Sequence, residues 1–165
     1  MSERDHDTII RPASAVDAAL ILAFIRELAE YERLSHLVTA TEQTLEDSLF
    51  GPHPGAEVLL AFERDAAVGF AVFFHNFSTF LGRRGLWLED IYVKPEFRGR
   101  GYGRKLLLHV ARIAHQRGCG RFEWAVLDWN APAIEFYKSL GAVALDDWTI
   151  FRVTGEPLAR LASIR

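Results

Sequence analysis

The segment Leu88–Gly103, LEDIYVKPEFRGRGYG, sets the tightest limit on what this chain can become. Trp87, Leu88, Ile91, Tyr92 and Val93 form an apolar run rich in β-branched and aromatic residues, which reads as a strand ending at Lys94-Pro95. Arg98-Gly99-Arg100-Gly101-Tyr102-Gly103 follows, and helical periodicity begins at Arg104. A strand therefore feeds a glycine-rich turn that opens a helix. Backbone N–H groups at such a turn have no intrahelical partners and point at whatever lies above the helix N-terminus, which favours a phosphate. Two carboxylates, Glu89 and Asp90, sit on the strand leading in. A phosphate cradle beside acids points to a phosphorylated cofactor next to an acid/base site. The spacing to Lys105 is wrong for a P-loop, and no Ser or Thr follows that lysine. A dinucleotide fingerprint needs G-x-G-x-x-G after the first strand, whereas the glycines here run G-x-G-x-G in mid-chain. Two readings stay open: a pyrophosphate turn of the form R-x-x-G-x-G, or a tight turn that needs glycine for positive φ.

The rest of the chain supplies a frame for this unit. Residues 1–7 are polar and expected to fray. Thr8–Arg11 reads as a strand closed by Pro12, and Ser14 opens a helix with Asp17 as its capping-box partner. A second helix is expected from Thr39, with Glu42 as partner, ending before Gly51-Pro52. Glu57–Glu63 and Val68–Phe77 read as a hairpin. Gly82–Gly85 reads as a turn, followed by the strand Leu86–Val93. The helix after the glycines ends at Arg117-Gly118, a basic last turn followed by a C′ glycine. A strand is expected over Phe122–Leu127, then a helix capped by Asn130 with Pro132 in its first turn. Short strands around Val143 and over Trp148–Val153, and a terminal helix over Pro157–Leu161, complete the reading. The meander before the glycine turn should be antiparallel and the strand–helix–strand unit after it parallel. The expected fold class is α/β (α+β): a single domain, 1–165, with a mixed sheet and helices on both faces.

At 165 residues one domain with its own core is the default. The formal net charge of −3 argues against a nucleic-acid partner and permits a cationic substrate. The N-terminus lacks an apolar stretch of signal-peptide type, and no run approaches the roughly 18 apolar residues of a spanning helix. The single cysteine, Cys119, fits a reducing compartment. These features predict a cytoplasmic chain with no membrane partner. The six histidines show no H-x₃-H or H-E-x-x-H spacing, so no metal site is expected.

Leu88–Gly103 resembles the cofactor motif of the GNAT superfamily of acyl-CoA-dependent N-acyltransferases. With IRPASAVDAALILAFIRELAEYE near the N-terminus and DWNAPAIEFYKSLGA near the C-terminus, most of the chain resembles the diamine (spermidine/spermine) N-acetyltransferase family. The resemblance implies a centrally splayed sheet whose gap takes the pantetheine arm of acetyl-CoA. It implies that Ile91, Tyr92 and Val93 meet the acetyl end, with the Ile91 N–H as oxyanion donor. It implies that the turn from Gly99 through Arg100, Gly101, Tyr102 and Gly103 to Arg104 holds the pyrophosphate, with Arg98 and Arg100 supplying charge. Asn130 would also serve the cofactor.

Acetylation of an ammonium needs a proton acceptor, because an alkylammonium has a pKa near about 10.4, and needs a proton for the leaving thiolate. The resemblance puts the base on Glu89 and the acid on Tyr137. The alternatives are an ion pair of Glu89 with Arg83, Arg84 or Arg112, and a core role for Tyr137. Strand alternation places Glu89 and Asp90 on opposite faces, with Leu88 beside Asp90 and Ile91 and Val93 beside Glu89. The family's substrate contacts fall on Tyr31, Glu32, Glu89, Glu123, Trp124, Ala125 and, across a short deletion, Asp147 or its neighbour Asp146. The implied substrate is a small cationic amine of diamine or polyamine type, with thialysine, lysine or another amine as the alternative and a silent acetyl-CoA-binding module as a different class. Members of this kind are commonly homodimers, and Trp148–Phe151 suits an exchanged strand.

Overall fold

A computed structural model of the chain describes residues 8–164. The expectation for residues 1–7 lies outside the described residues. The chain divides into two compact units, Met1–Ala125 and Val126–Arg165.

The first unit is built on a five-stranded sheet in the order β1-β2-β3-β4-β5. Its strands are β1 (Thr8–Pro12), β2 (Glu57–Glu63), β3 (Ala66–Ser78), β4 (Arg83–Val93) and β5 (Phe122–Trp124). The first four pair antiparallel and β4 pairs parallel with β5, as expected. The helices of this unit are α1 (Ala18–Tyr31), α2 (Glu42–Phe50) and α3 (Tyr102–Gln116). Ile21, Phe24 and Leu28 of α1 pack on Val58, Leu60, Phe70 and Tyr92, which alternate along β2, β3 and β4 on one face of the sheet. Phe24 stacks on Phe70 with centroids 5.3 Å apart. The opposite face carries Leu59, Ala71 and Phe73, all buried, and receives α3, whose Leu106, Leu107 and Val110 are buried.

Ser14 opens the first helix as its sequence indicates. Its N–H donates to Asp17 Oδ2 at 2.8 Å, and a 3-10 turn, Ala15–Asp17, leads into α1. Arg11 donates two hydrogen bonds of 2.8 Å to the same carboxylate. The Arg11 guanidinium, against the cost of burial, draws the Asp17 carboxyl down to about 2. The chain from β1 to α1 is thus locked by one buried acid.

Several boundaries differ from the sequence reading, each for a local reason. The cap of α2 is Thr41, not Thr39, because Thr41 and Thr44 exchange reciprocal hydrogen bonds at N-cap and N3. Strand β4 starts at Arg83, and Gly85 lies inside it rather than in a turn. A Cβ at Gly85 would sit 2.3 Å from Asn76 Oδ1, so this glycine permits a close approach across the strand pair. Helix α3 begins at Tyr102, two residues early, because Gly101 takes a left-handed φ of 85° and caps it. Strand β5 spans three residues, since its pairing with β4 stops at Leu88↔Trp124.

The second unit contains α4 (Ala131–Ser139) and α5 (Gly155–Ser163). Asn130 caps α4 by accepting the Ala133 N–H at 3.4 Å, with Pro132 in the first turn. Glu156 and Arg160 pair at 2.6 Å, one turn apart on α5. The expected strands around Val143 and over Trp148–Val153 are absent. No ladder forms among the described residues of this unit, and alternation without a hydrogen-bonded neighbour does not make a strand.

Candidate functional site

The register of β4 against its neighbours builds the site. On one side, β5 accompanies β4 only through Leu86↔Phe122, Trp87↔Glu123 and Leu88↔Trp124. From Glu89 to Val93 strand β4 has no hydrogen-bonded neighbour on this side, because β5 ends at Trp124. On the other side, the Lys94 N–H donates to Val68 O of β3 at 2.9 Å. Alternate N–H groups of a strand point to opposite sides, so those of Ile91 and Val93 point away from β3 into the gap. An acyl oxygen lodged there would meet a fixed donor in the Ile91 N–H.

The glycine turn lies at the end of the same strand. Gly99 and Gly101 have φ of 73° and 85°, and a Cβ added at either meets nothing within 4 Å. The first-turn N–H groups of α3 have no intrahelical partner. Left-handed glycines, open space and a helix N-terminus form a cradle that fits a pyrophosphate. The two expected charge carriers are otherwise engaged. Arg98 donates from Nε to Val93 O at 2.9 Å and lies 4.5 Å over the Tyr31 ring and 5.5 Å over the Tyr92 ring. Arg100 pairs with Glu63 at 2.6 Å and lies over the rings of Phe97 and Tyr102. The rings of Tyr92 and Tyr102 are 5% and 1% exposed and belong to the core, so only their backbone is available to a cofactor. Gly103 sits beside Val93, and Arg104 is exposed in the first turn of α3.

The two acids do not separate by face, and a β-bulge is the reason. Val72 pairs with Asp90 and Phe73 with Leu88, so Glu89 has no partner on β3. The extra residue shifts the phase of the strand. Asp90 falls on the α1 face with its partner Val72, next to Phe70 and Tyr92 in the register. Trp87, paired with Phe74, falls on that face too. Its Nε1 donates to Glu89 Oε2 at 2.9 Å, which draws the Glu89 carboxylate to the same side. Leu88 therefore leaves Asp90, and Glu89 leaves Ile91 and Val93, contrary to simple alternation. Glu89 is exposed, and Asp90 is half-buried with no hydrogen-bond or ion-pair partner among the described residues. Burial first, then the charges of Glu89 and Glu32, push the Asp90 carboxyl up to about 6. Burial also raises Glu32, which follows the C-terminus of α1 next to Tyr31. Three carboxylates thus crowd one face, and among the described residues none of them forms an ion pair.

The β5 residues have local roles. Glu123 is held by Arg121 at 2.8 Å and accepts from Asn76 Nδ2 at 3.2 Å. Trp124 packs against Phe122 with centroids 4.9 Å apart, and Ala125 is exposed at the end of the unit. Asn130, Tyr137, Asp146 and Asp147 belong to the second unit. The Tyr137 carbonyl accepts from Leu140 and Ala142, and its ring lies 5.4 Å from Phe136. Sequence reasoning set Asp90 apart from Glu89 by face and missed the hydrogen bond from Trp87 to Glu89. The signal for the bulge was available: apolar residues at 86, 88, 91 and 93 step by two, then three, then two. Among the described residues no group of three or more side chains is arranged to hold a metal ion, and no helix is long and apolar enough to cross a membrane.

Comparison with known proteins agrees with this geometry. Thialysine N-epsilon-acetyltransferase of Sus scrofa is 42% identical over 93% of this chain and 96% of its own length. L-ornithine N5-acetyltransferase NATA1 of Arabidopsis thaliana is 31% identical over 90% and 85%. An integron cassette protein from V. cholerae superposes with a TM-score of 0.80 at 28% identity, covering 95% of this chain and 98% of that one. Residues 22–142 match the Acetyltransferase (GNAT) family and cross the boundary between the two units; with the open edge of β4 and the glycine cradle, this makes the chain a member of that family.

Proposed function

We propose that this protein transfers the acetyl group of acetyl-CoA to the terminal primary amine of a small cationic substrate. The observation that carries the amine is the surplus of negative charge on the α1 face, where among the described residues Glu32, Glu89 and Asp90 form no ion pair and Asp90 accepts no hydrogen bond. Crowded carboxylates are relieved by a bound ammonium. When bound, acetyl-CoA supplies an activated thioester as acyl donor. The turn from Gly99 to Arg104 would hold its pyrophosphate through backbone N–H groups, and the N–H groups of Ile91 and Val93 would meet the arm. The Ile91 N–H stabilises the developing oxyanion. Glu89, steadied by Trp87, faces the ammonium together with Asp90 and Glu32, and Tyr31 lines the approach. The family resemblance, with no placement of the second unit against the first, assigns Tyr137 the proton for the leaving thiolate and Asn130 a cofactor role.

The relatives named for thialysine and ornithine support an amino acid carrying a terminal amine. The three carboxylates favour a diamine or polyamine as the second reading, because a polycation has no carboxylate of its own to repel. The protein acts in a reducing compartment, in keeping with its single cysteine. It forms a homodimer in which Trp148–Phe151 gains the strand neighbour it lacks within its own unit.

A CoA-release assay with thialysine, ornithine, lysine, putrescine and spermidine tests this reading. Turnover of at least one is expected. Tight acetyl-CoA binding with no turnover on any of them would instead identify a cofactor-sensing module.

A further inference from the structure

We infer that Asp90, not Glu89, accepts the proton that the substrate ammonium must lose, while Glu89 holds the ammonium in place. The inference rests on the amine-acetyltransferase reading and assigns a role within the same site. In the step, one N–H bond of the ammonium breaks, its proton passes to an Asp90 carboxylate oxygen directly or through one water, and the electron pair stays on nitrogen as the nucleophile.

Three observations carry the assignment: one brings the two acids to one face and two tell them apart. The bulge at Glu89 turns both carboxylates to one face, so a single ammonium can address them together. Glu89 is exposed and accepts the Trp87 indole N–H at 2.9 Å. An exposed carboxylate already held by an indole N–H is well placed to anchor an ammonium. Asp90 is shielded and accepts no hydrogen bond among the described residues. The groups that face it are the carboxylates of Glu89 on its own strand and Glu32 beyond α1. The cations nearest in sequence on this face are engaged elsewhere: Lys94 pairs with Glu27 at 3.6 Å, and Arg98 stacks over Tyr31 and Tyr92. A general base works best when its pKa lies near the operating pH, and the upward shift of Asp90 to about 6 brings it there.

The pH profile of kcat/KM for wild type, Asp90→Asn and Glu89→Gln decides the matter, using whichever of the five amines wild type acetylates best. Circular dichroism confirms that each variant is folded. Asp90→Asn should lower kcat by about 10²–10⁴-fold and abolish the acid limb of the profile. Glu89→Gln should keep that limb but move it to lower pH, because the like charge that raises Asp90 is gone, and should raise KM for the amine more than it lowers kcat. The inference is overturned if Asp90→Asn retains the acid limb with kcat nearly unchanged, or if Glu89→Gln abolishes the limb. A wild type inert toward all five amines would refute the amine-acetyltransferase reading itself, and the assignment with it.

Discussion

Replacing Asp90 with asparagine should stabilise the protein in mild alkali and leave it nearly unchanged in acid. The native carboxyl is raised from 3.8 to about 6, chiefly by burial. At about 1.36 kcal/mol per pKa unit, the charged form costs the fold on the order of 3 kcal/mol at any pH well above both values. The sign follows from proton binding. The native state holds this proton more tightly than the unfolded chain, so stability falls as pH rises between roughly 4 and 6, and the full cost persists above that range. Asparagine carries no charge to desolvate and fills nearly the same space, although its amide keeps part of the burial penalty. A gain of roughly 1–3 kcal/mol near pH 8 corresponds to an increase in Tm of about 2–10 °C for a chain of this size. Near pH 4 the wild-type carboxyl is already protonated in the native state, and the gain should shrink to a few tenths of a kcal/mol. Thermal unfolding of both proteins, followed by circular dichroism at both pH values, measures this. A variant less stable than wild type at pH 8, or an equal shift at both pH values, would refute the reasoning.

Other perturbations test separate parts of the structure. Asp17→Asn should destabilise by about 1–3 kcal/mol near neutral pH, since it breaks the Arg11 pair and the Ser14 cap together. That loss should fade only as pH falls toward about 2, where wild-type Asp17 is itself protonated, and denaturant titrations will show it. Gly69→Ala should cost about 2–3 kcal/mol or prevent soluble expression, because its Cβ would lie 2.4 Å from the Tyr92 carbonyl oxygen behind the site. Gly101→Ala meets no protein atom within 4 Å but must hold a φ of 85°. It should cost about 1 kcal/mol of stability and raise KM for acetyl-CoA more than KM for the amine, as steady-state kinetics will report. Trp87→Phe keeps the ring but removes the donor to Glu89, and should raise KM for the amine with little change in Tm.

Local chemistry made much of this fold readable. The Ser14–Asp17 capping box, the β2–β3 hairpin, the glycine turn and the Asn130 cap each follow from a few adjacent residues whose hydrogen bonds close locally. The errors arose where a second strand decides the outcome. Gly85 resembled a turn because nothing in its neighbourhood announces the approach of Asn76, nine residues earlier. Trp148–Val153 alternates like a strand but has no partner among the described residues of its unit. Period-2 alternation gave Glu89 and Asp90 opposite faces because it assumes unbroken pairing with β3, and the bulge breaks it. The glycine turn proposed for the cofactor was therefore legible, since glycines and backbone N–H groups define it. The acid/base side was only half legible, since it depends on register across the sheet and on the approach of Glu32 from α1.

On the proposed function, an activated acetyl group passes from this cradle to a terminal amine presented to the acids of the bulged strand. Mass spectrometry of the products formed from acetyl-CoA and thialysine, ornithine, lysine, putrescine and spermidine tests it most directly. At least one product heavier by a single acetyl group, carried on the terminal amine and absent when acetyl-CoA is omitted, is expected. Acetylation confined to the α-amine of the amino acids, or no acetylated product from any of the five, would contradict it.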